Sequence, residues 1–99
     1  MRLTRDQTRA IKQATAEIFG PKARVWLFGS RADDSRSGGD VDLMVETAET
    51  PNNPALLAAR LSARVSRGMH GRHVDVVVFA PGFPEQPIHR TARTQGIRL

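Results

Sequence analysis

Two aspartates two residues apart, Asp40 and Asp42, head an alternating apolar segment, and a third, Asp75, lies inside the Val-rich run that begins at Val74. In a β-strand, residues i and i+2 share a face about 6–7 Å apart, so Asp40 and Asp42 point the same way. By the same alternation Asp75 shares a face with Val77 and Phe79, while Val74, Val76 and Val78 take the other. A carboxylate in such a run is costly to bury unless it is paired or ligates a metal. If the two strands are neighbours, the three acids converge and repel by about 1–3 kcal/mol per pair at intermediate dielectric. Mg²⁺ relieves that repulsion, because it takes carboxylate oxygens and keeps positions open for phosphate. The alternative on spacing alone is structural. Asp40 then merely opens a strand after Gly38-Gly39, and Asp42 and Asp75 face solvent on an open sheet.

A second element bears on that choice. Gly29-Ser30, followed by Arg31, stands where the apolar run Val25-Trp26-Leu27-Phe28 ends. Glycine lets a backbone come close to an anion, and the Ser30 hydroxyl adds to the N–H groups exposed there. As a dipeptide Gly-Ser is often only a turn. Gly29 lies eleven residues before Asp40, however, so an anion cradle and a metal site fit at one end of one sheet.

Other chemistries fail on the residues. No G-x-x-x-x-G-K-[ST] is present, so this is no P-loop NTPase. Ser30 sits in Gly-Ser-Arg-Ala rather than G-x-S-x-G, which gives no hydrolase elbow. His70-x-x-His73 straddles Gly71 at a helix-to-strand turn and reads as solvated loop histidines rather than a zinc pair. His89, alone on the last helical segment, reads as surface. Cys is absent, which removes disulfides, thiolate zinc sites and a cysteine nucleophile together.

The elements that must position these residues follow from periodicity and punctuation. Thr4-x-x-Gln7 reads as a capping box, with Ile11, Ala14 and Ile18 at helical spacing and Gly20-Pro21 as the stop. Val25 to Phe28 reads as a strand buried on both faces. Val41, Leu43 and Val45 form the apolar side of a second strand. Asn53 is an N-cap and Pro54 a first helical residue for a second long helix, with Leu57, Leu61 and Val65 inside and Gly68 as the stop. On that helix Arg60, Arg64 and Arg67 form a stripe that reads as a solvated face or as a contact for phosphate or a partner. Residues 74–79 form a third strand. Residues 85–95 form a short helix with Ile88 and Ala92 on its inner side and Gly96 as C-cap, and Ile97 to Leu99 form a short edge strand. This order predicts an α/β (α+β) chain, a small mixed sheet of three to four strands flanked by helices.

At 99 residues the chain holds one domain, spanning 1–99, with 39% hydrophobic and 25% charged residues. The net charge is +5, and all the basic residues except Lys12 and Lys22 are Arg, which pairs bidentately with phosphate and carboxylate. The bases are dispersed and Tyr is absent, while Trp26, Phe28 and Phe79 sit in core-like runs. A dedicated nucleic-acid module, which adds exposed stacking platforms, is therefore not expected. No apolar run is long enough for a membrane span and no secretory signal opens the chain, so a cytoplasmic protein is expected.

Phe28-Gly29-Ser30-Arg31-Ala32, Gly39-Asp40-Val41-Asp42-Leu43 and Val74-Asp75-Val76-Val77 together resemble the DNA polymerase β-type nucleotidyltransferases. The resemblance is greatest to their smallest branch, the minimal nucleotidyltransferases paired with HEPN-domain toxins. It covers essentially the whole chain and implies the polymerase β-like nucleotidyltransferase fold. It implies that Gly29, Ser30 and Arg31 hold nucleotide phosphates and that Asp40 and Asp42 bind Mg²⁺. Asp75 then completes the metal site or helps deprotonate the acceptor hydroxyl. The loop departs from the pattern: many members continue Arg-Ala-Arg-Gly, whereas Asp33-Asp34 follow Arg31-Ala32 here.

The activity so implied is transfer of AMP from ATP to a hydroxyl of a cognate toxin, with this chain as antitoxin. Larger relatives add an acceptor-binding domain for which this chain has no residues, so the acceptor is expected on an open face, as suits a protein partner. Two other functions stay open: a non-catalytic module that binds nucleotide or occludes its partner, and a basic domain that binds polyanions with steep salt dependence.

Overall fold

The computed structural model describes residues 3–29 and 40–99. Among the described residues, three helices and four strands follow in the order α1 (Arg5–Phe19), β1 (Arg24–Phe28), β2 (Val41–Glu46), α2 (Pro54–Gly68), β3 (Val74–Phe79), α3 (Pro87–Gln95) and β4 (Ile97–Arg98). The sheet is mixed, in the order β3-β2-β1-β4. β1 pairs antiparallel with both β2 and β4, and β2 pairs parallel with β3. A parallel pair needs a crossover connection, and α2 supplies it.

Local signals account for the element ends. The Thr4 side chain accepts from Gln7 N at 3.0 Å while Gln7 Oε1 accepts from Thr4 N at 2.9 Å, closing the capping box of α1. Asn53 Oδ1 accepts from Leu56 N at the start of α2, with Pro54 in the first turn where its missing N–H costs nothing. Gly20, at φ 106°, ends α1.

The sheet separates two apolar layers. Val25, Leu27, Val41, Leu43, Val45 and Val74 pack with Ile11 and Ala14 of α1 and with Leu61 and Val65 of α2. On the other face Trp26, Phe28 and Met44 pack with Ala92 of α3, against Val77 and Phe79. This second layer corrects the one-sided reading of β2: Met44 is fully buried because α3 covers it. The inner side of α3 differs from expectation too. Ile88 is 42% exposed, and it is His89, 7% exposed, that turns inward beside Ala92. His89 therefore is not a surface residue. Its Nδ1 accepts from Gln86 N at 3.0 Å and its ring lies 4.8 Å from that of Phe79, so the imidazole caps its own helix and fills a gap over the sheet.

The last turn is packed tightly. A Cβ on Gly96 would lie 2.7 Å from the Leu27 carbonyl oxygen and 3.1 Å from Phe28 Cβ, backbone-anchored neighbours that have little room to give. Gly96→Ala is expected to cost about 1–3 kcal/mol as overpacking. For a domain of this size that lowers Tm by roughly 5–20 °C in a thermal melt.

Of the stripe on α2, Arg60 and Arg67 are exposed, whereas Arg64 is partly buried on the side facing α1 and pairs with Glu17 there. Among the described residues no helix is long and apolar enough to cross a membrane.

Candidate active site

Three strand ends meet at one edge of the sheet: the C-terminal end of β1 and the N-terminal ends of β2 and β3. Phe28 is opposite Asp42 across the β1–β2 ladder, and Asp42 is opposite Asp75 across the β2–β3 ladder. Neighbouring strands lie about 4.8 Å apart, so the Asp42 and Asp75 backbones are as close as a sheet permits. Asp40, one residue before β2, shares the face of Asp42, the face that α3 covers further along. The Val41 N–H donates to the His73 carbonyl at 2.9 Å, which ties the residue before β3 to the start of β2.

The side chains at this edge form two tiers. Asp40, His73 and Asp75 are exposed, and each offers one ligand atom such that all three atoms lie within 4.8 Å of one another. His73 Nε2 hydrogen-bonds Asp75 Oδ1 at 2.9 Å. Asp42 sits deeper and is half-buried. Burial pushes its carboxyl above the usual range, the charges of Asp75 and Asp40 push it further, and His73 opposes them.

Gly29 closes the inner side of the site. It adopts φ 72°, in the left-handed region that favours glycine, and the Asp42 carboxylate packs where a side chain would stand. A Cβ there would clash with Asp42 Oδ2 and lie 3.1 Å from its Cγ. The glycine after β1 is therefore matched to the aspartate opposite that strand's end.

Measured against the sequence, the structure brings Asp42 and Asp75 into register, with Asp40 beside them and Gly29 against Asp42. Ser30 and Arg31, assigned to phosphate, lie outside the described residues, as do Asp33 and Asp34. Asp75 is not buried in a Val-rich strand, because β3 is an edge strand and the side chain keeps 57% of its exposure. The residue sequence reasoning passed over is His73. Its signal was available: the two-residue period that aligns Asp75 with Val77 also aligns His73, but reading it as a turn residue cut the pattern one step short. His70 takes no part in the cluster; it sits in the turn at φ 59°.

A cavity of about 620 Å³ opens at the other end of the sheet, beside Arg24, Glu46, Phe79 and Phe83. It is remote from the carboxylates, since Glu46 and Phe79 pair at the far end of β2 and β3.

Comparison with curated proteins finds no match. The family model of the nucleotidyltransferase domain matches residues 8–97, which run from α1 into β4 and include Gly29, Asp40, Asp42, His73 and Asp75. With nine-tenths of its length so matched, the chain belongs to the nucleotidyltransferase domain family, whose general chemistry is nucleotidyl transfer.

Proposed function

We propose that this chain transfers AMP from ATP, with Mg²⁺, to a hydroxyl of a protein partner, acting in the cytoplasm as the antitoxin of a HEPN-type toxin. The observation that carries the reading is the register pairing of Asp42 with Asp75, with Asp40 at the same end of the same face, inside a nucleotidyltransferase domain. Converging carboxylates, of which Asp75 and Asp40 raise the proton affinity of the half-buried Asp42, are a donor set that fits a divalent ion. When bound, the ion neutralises triphosphate charge and polarises the α-phosphorus.

The chain's own residues do the rest. Asp40, Asp42 and Asp75 hold the ion. Gly29, at φ 72°, lets the backbone come close to the triphosphate, and by resemblance Ser30 and Arg31 add a hydroxyl and a guanidinium. The acceptor oxygen forms its bond to the α-phosphorus as the bond from that phosphorus to the α–β bridging oxygen breaks, and pyrophosphate leaves. The hydroxyl proton passes to the carboxylate of Asp75, which stands exposed on the edge strand. An acceptor carried on a partner can reach that position from the open side of β3.

The test is co-expression with a HEPN-type toxin whose growth arrest the wild type relieves. Relief is expected to disappear in the Asp40→Asn, Asp42→Asn, Asp75→Asn triple variant, and toxin recovered with the wild type should carry the mass of one added AMP. Full relief by the triple variant, with unmodified toxin, would replace transfer by occlusion.

A further inference from the structure

We propose that His73 is itself a metal ligand, and that its imidazole, grouped with Asp40 and Asp75 above the deeper Asp42, makes this site bind Mn²⁺ more tightly than Mg²⁺. The inference rests on the reading above that these carboxylates hold a divalent ion, and it adds which residue joins them and which class of ion follows.

The geometry fits one coordination sphere. In an octahedral site with bonds of about 2.1 Å, adjacent ligand atoms are roughly 3.0 Å apart and opposite ones roughly 4.2 Å. His73 Nε2 and Asp75 Oδ1 are 2.9 Å apart, an adjacent pair, and Asp40 offers an atom within 4.8 Å of the group, which a small rotation of its exposed side chain brings inside the roughly 4.2 Å span. The placement is built into the fold. His73 and Asp75 are two residues apart on one strand face, and the Val41-to-His73 backbone hydrogen bond sets Asp40 beside them. An ion at this position replaces the proton that Nε2 shares with Asp75.

Chemistry then sets the preference. Mg²⁺ takes oxygen ligands and dehydrates reluctantly, whereas imidazole suits the transition ions. Mn²⁺ accepts carboxylate oxygen, phosphate and water together with nitrogen, so one imidazole tips the site toward it while leaving positions for a triphosphate. As a surface ion pair alone, the His73–Asp75 contact would contribute little, both side chains being more than half exposed.

The test is Mn²⁺ binding to the full chain, followed by electron paramagnetic resonance with Mg²⁺ as competitor. Pulsed measurements on the same samples detect nitrogen bonded to the ion. Wild type is expected to bind Mn²⁺ at least about tenfold tighter than Mg²⁺ and to show imidazole ¹⁴N coupling. In His73→Gln the coupling should vanish and Mn²⁺ affinity fall about tenfold or more, with Mg²⁺ affinity within about twofold of wild type. Asp75→Asn should weaken both ions. Mn²⁺ bound without nitrogen coupling, or His73→Gln binding it as wild type does, would overturn the assignment while leaving the carboxylate site standing. If wild type binds neither ion, both readings fall together.

Discussion

Asp42→Asn is expected to do two opposite things: abolish nucleotidyl transfer and, without metal, make the protein more stable. Transfer should fall by at least about 10²-fold, since loss of even an outer-shell partner of a metal ligand costs about 10–100-fold. The gain in stability comes from the same carboxylate. Burial and the neighbouring charges of Asp75 and Asp40 disfavour its ionised form in the folded state, and an unfolded chain feels neither. Removing one like charge from a partly solvated cluster is worth a fraction of a kcal/mol up to about 1, or roughly 2–8 °C in Tm.

The pH dependence has a definite sign. A carboxyl raised above its unfolded value binds its proton more tightly in the folded state, so the folded protein gains stability as pH falls. The penalty is present in full above the raised value, is relieved as pH falls through it, and is gone below the ordinary value of 3.8. The Tm advantage of Asp42→Asn over wild type should therefore be largest near neutral pH and shrink in acid. Titrating groups remote from the cluster, such as Glu17 with its carboxyl lowered by its hydrogen bond to Arg64, act equally in both proteins and cancel. A wild type more stable than Asp42→Asn at pH 7 without metal would contradict this account of the cluster.

Gly29→Ala carries the other large effect. A Cβ at φ 72° is strained by about 1–2 kcal/mol, and here it also strikes the Asp42 carboxylate, adding to that cost. Tm is expected to drop by roughly 5–15 °C. Transfer per folded molecule, measured well below the melt, should drop by about 10²-fold, because a misplaced catalytic group costs that much. The separation matters. A purely structural glycine would lower Tm and leave the activity of the folded fraction unchanged, which would argue against its part in placing Asp42.

The fold was largely legible because its signals are local. The Thr4/Gln7 capping box, the Asn53-Pro54 start, the glycine stops and the Val-rich runs each specify an element without reference to the rest. What periodicity could not supply was the neighbour of each strand. Whether Asp42 and Asp75 meet depends on α2 returning the chain parallel to β2, a matter of tertiary packing. Misreadings arose where a polar residue serves packing or a short element has two candidate faces. Ile88 and His89 are adjacent on α3, and hydrophobicity favoured Ile88. The cap on Gln86 and the contact with Phe79 instead turn His89 inward. His73 was missed for a different reason: next to the Gly71 turn it read as a loop residue, although strand alternation aligns it with Asp75.

Glycine followed by serine after a strand, then two aspartates two apart, is a weak pattern taken piece by piece. Its force comes from convergence: β1 ends opposite Asp42, and Asp42 stands opposite Asp75. A basic chain of net charge +5 thus presents an acidic edge, which suits an ion that joins protein carboxylates to a polyanionic substrate.

The most direct measurement of nucleotidyl transfer through these carboxylates is label transfer from ATP with a divalent ion into a native lysate. α-Labelled and γ-labelled ATP are run in parallel, with wild type beside Asp42→Asn. A discrete protein should be labelled from the α-phosphate and not from the γ-phosphate, with pyrophosphate released, and no label should appear with Asp42→Asn. Label from the γ-phosphate, or α-label undiminished in Asp42→Asn, would contradict it.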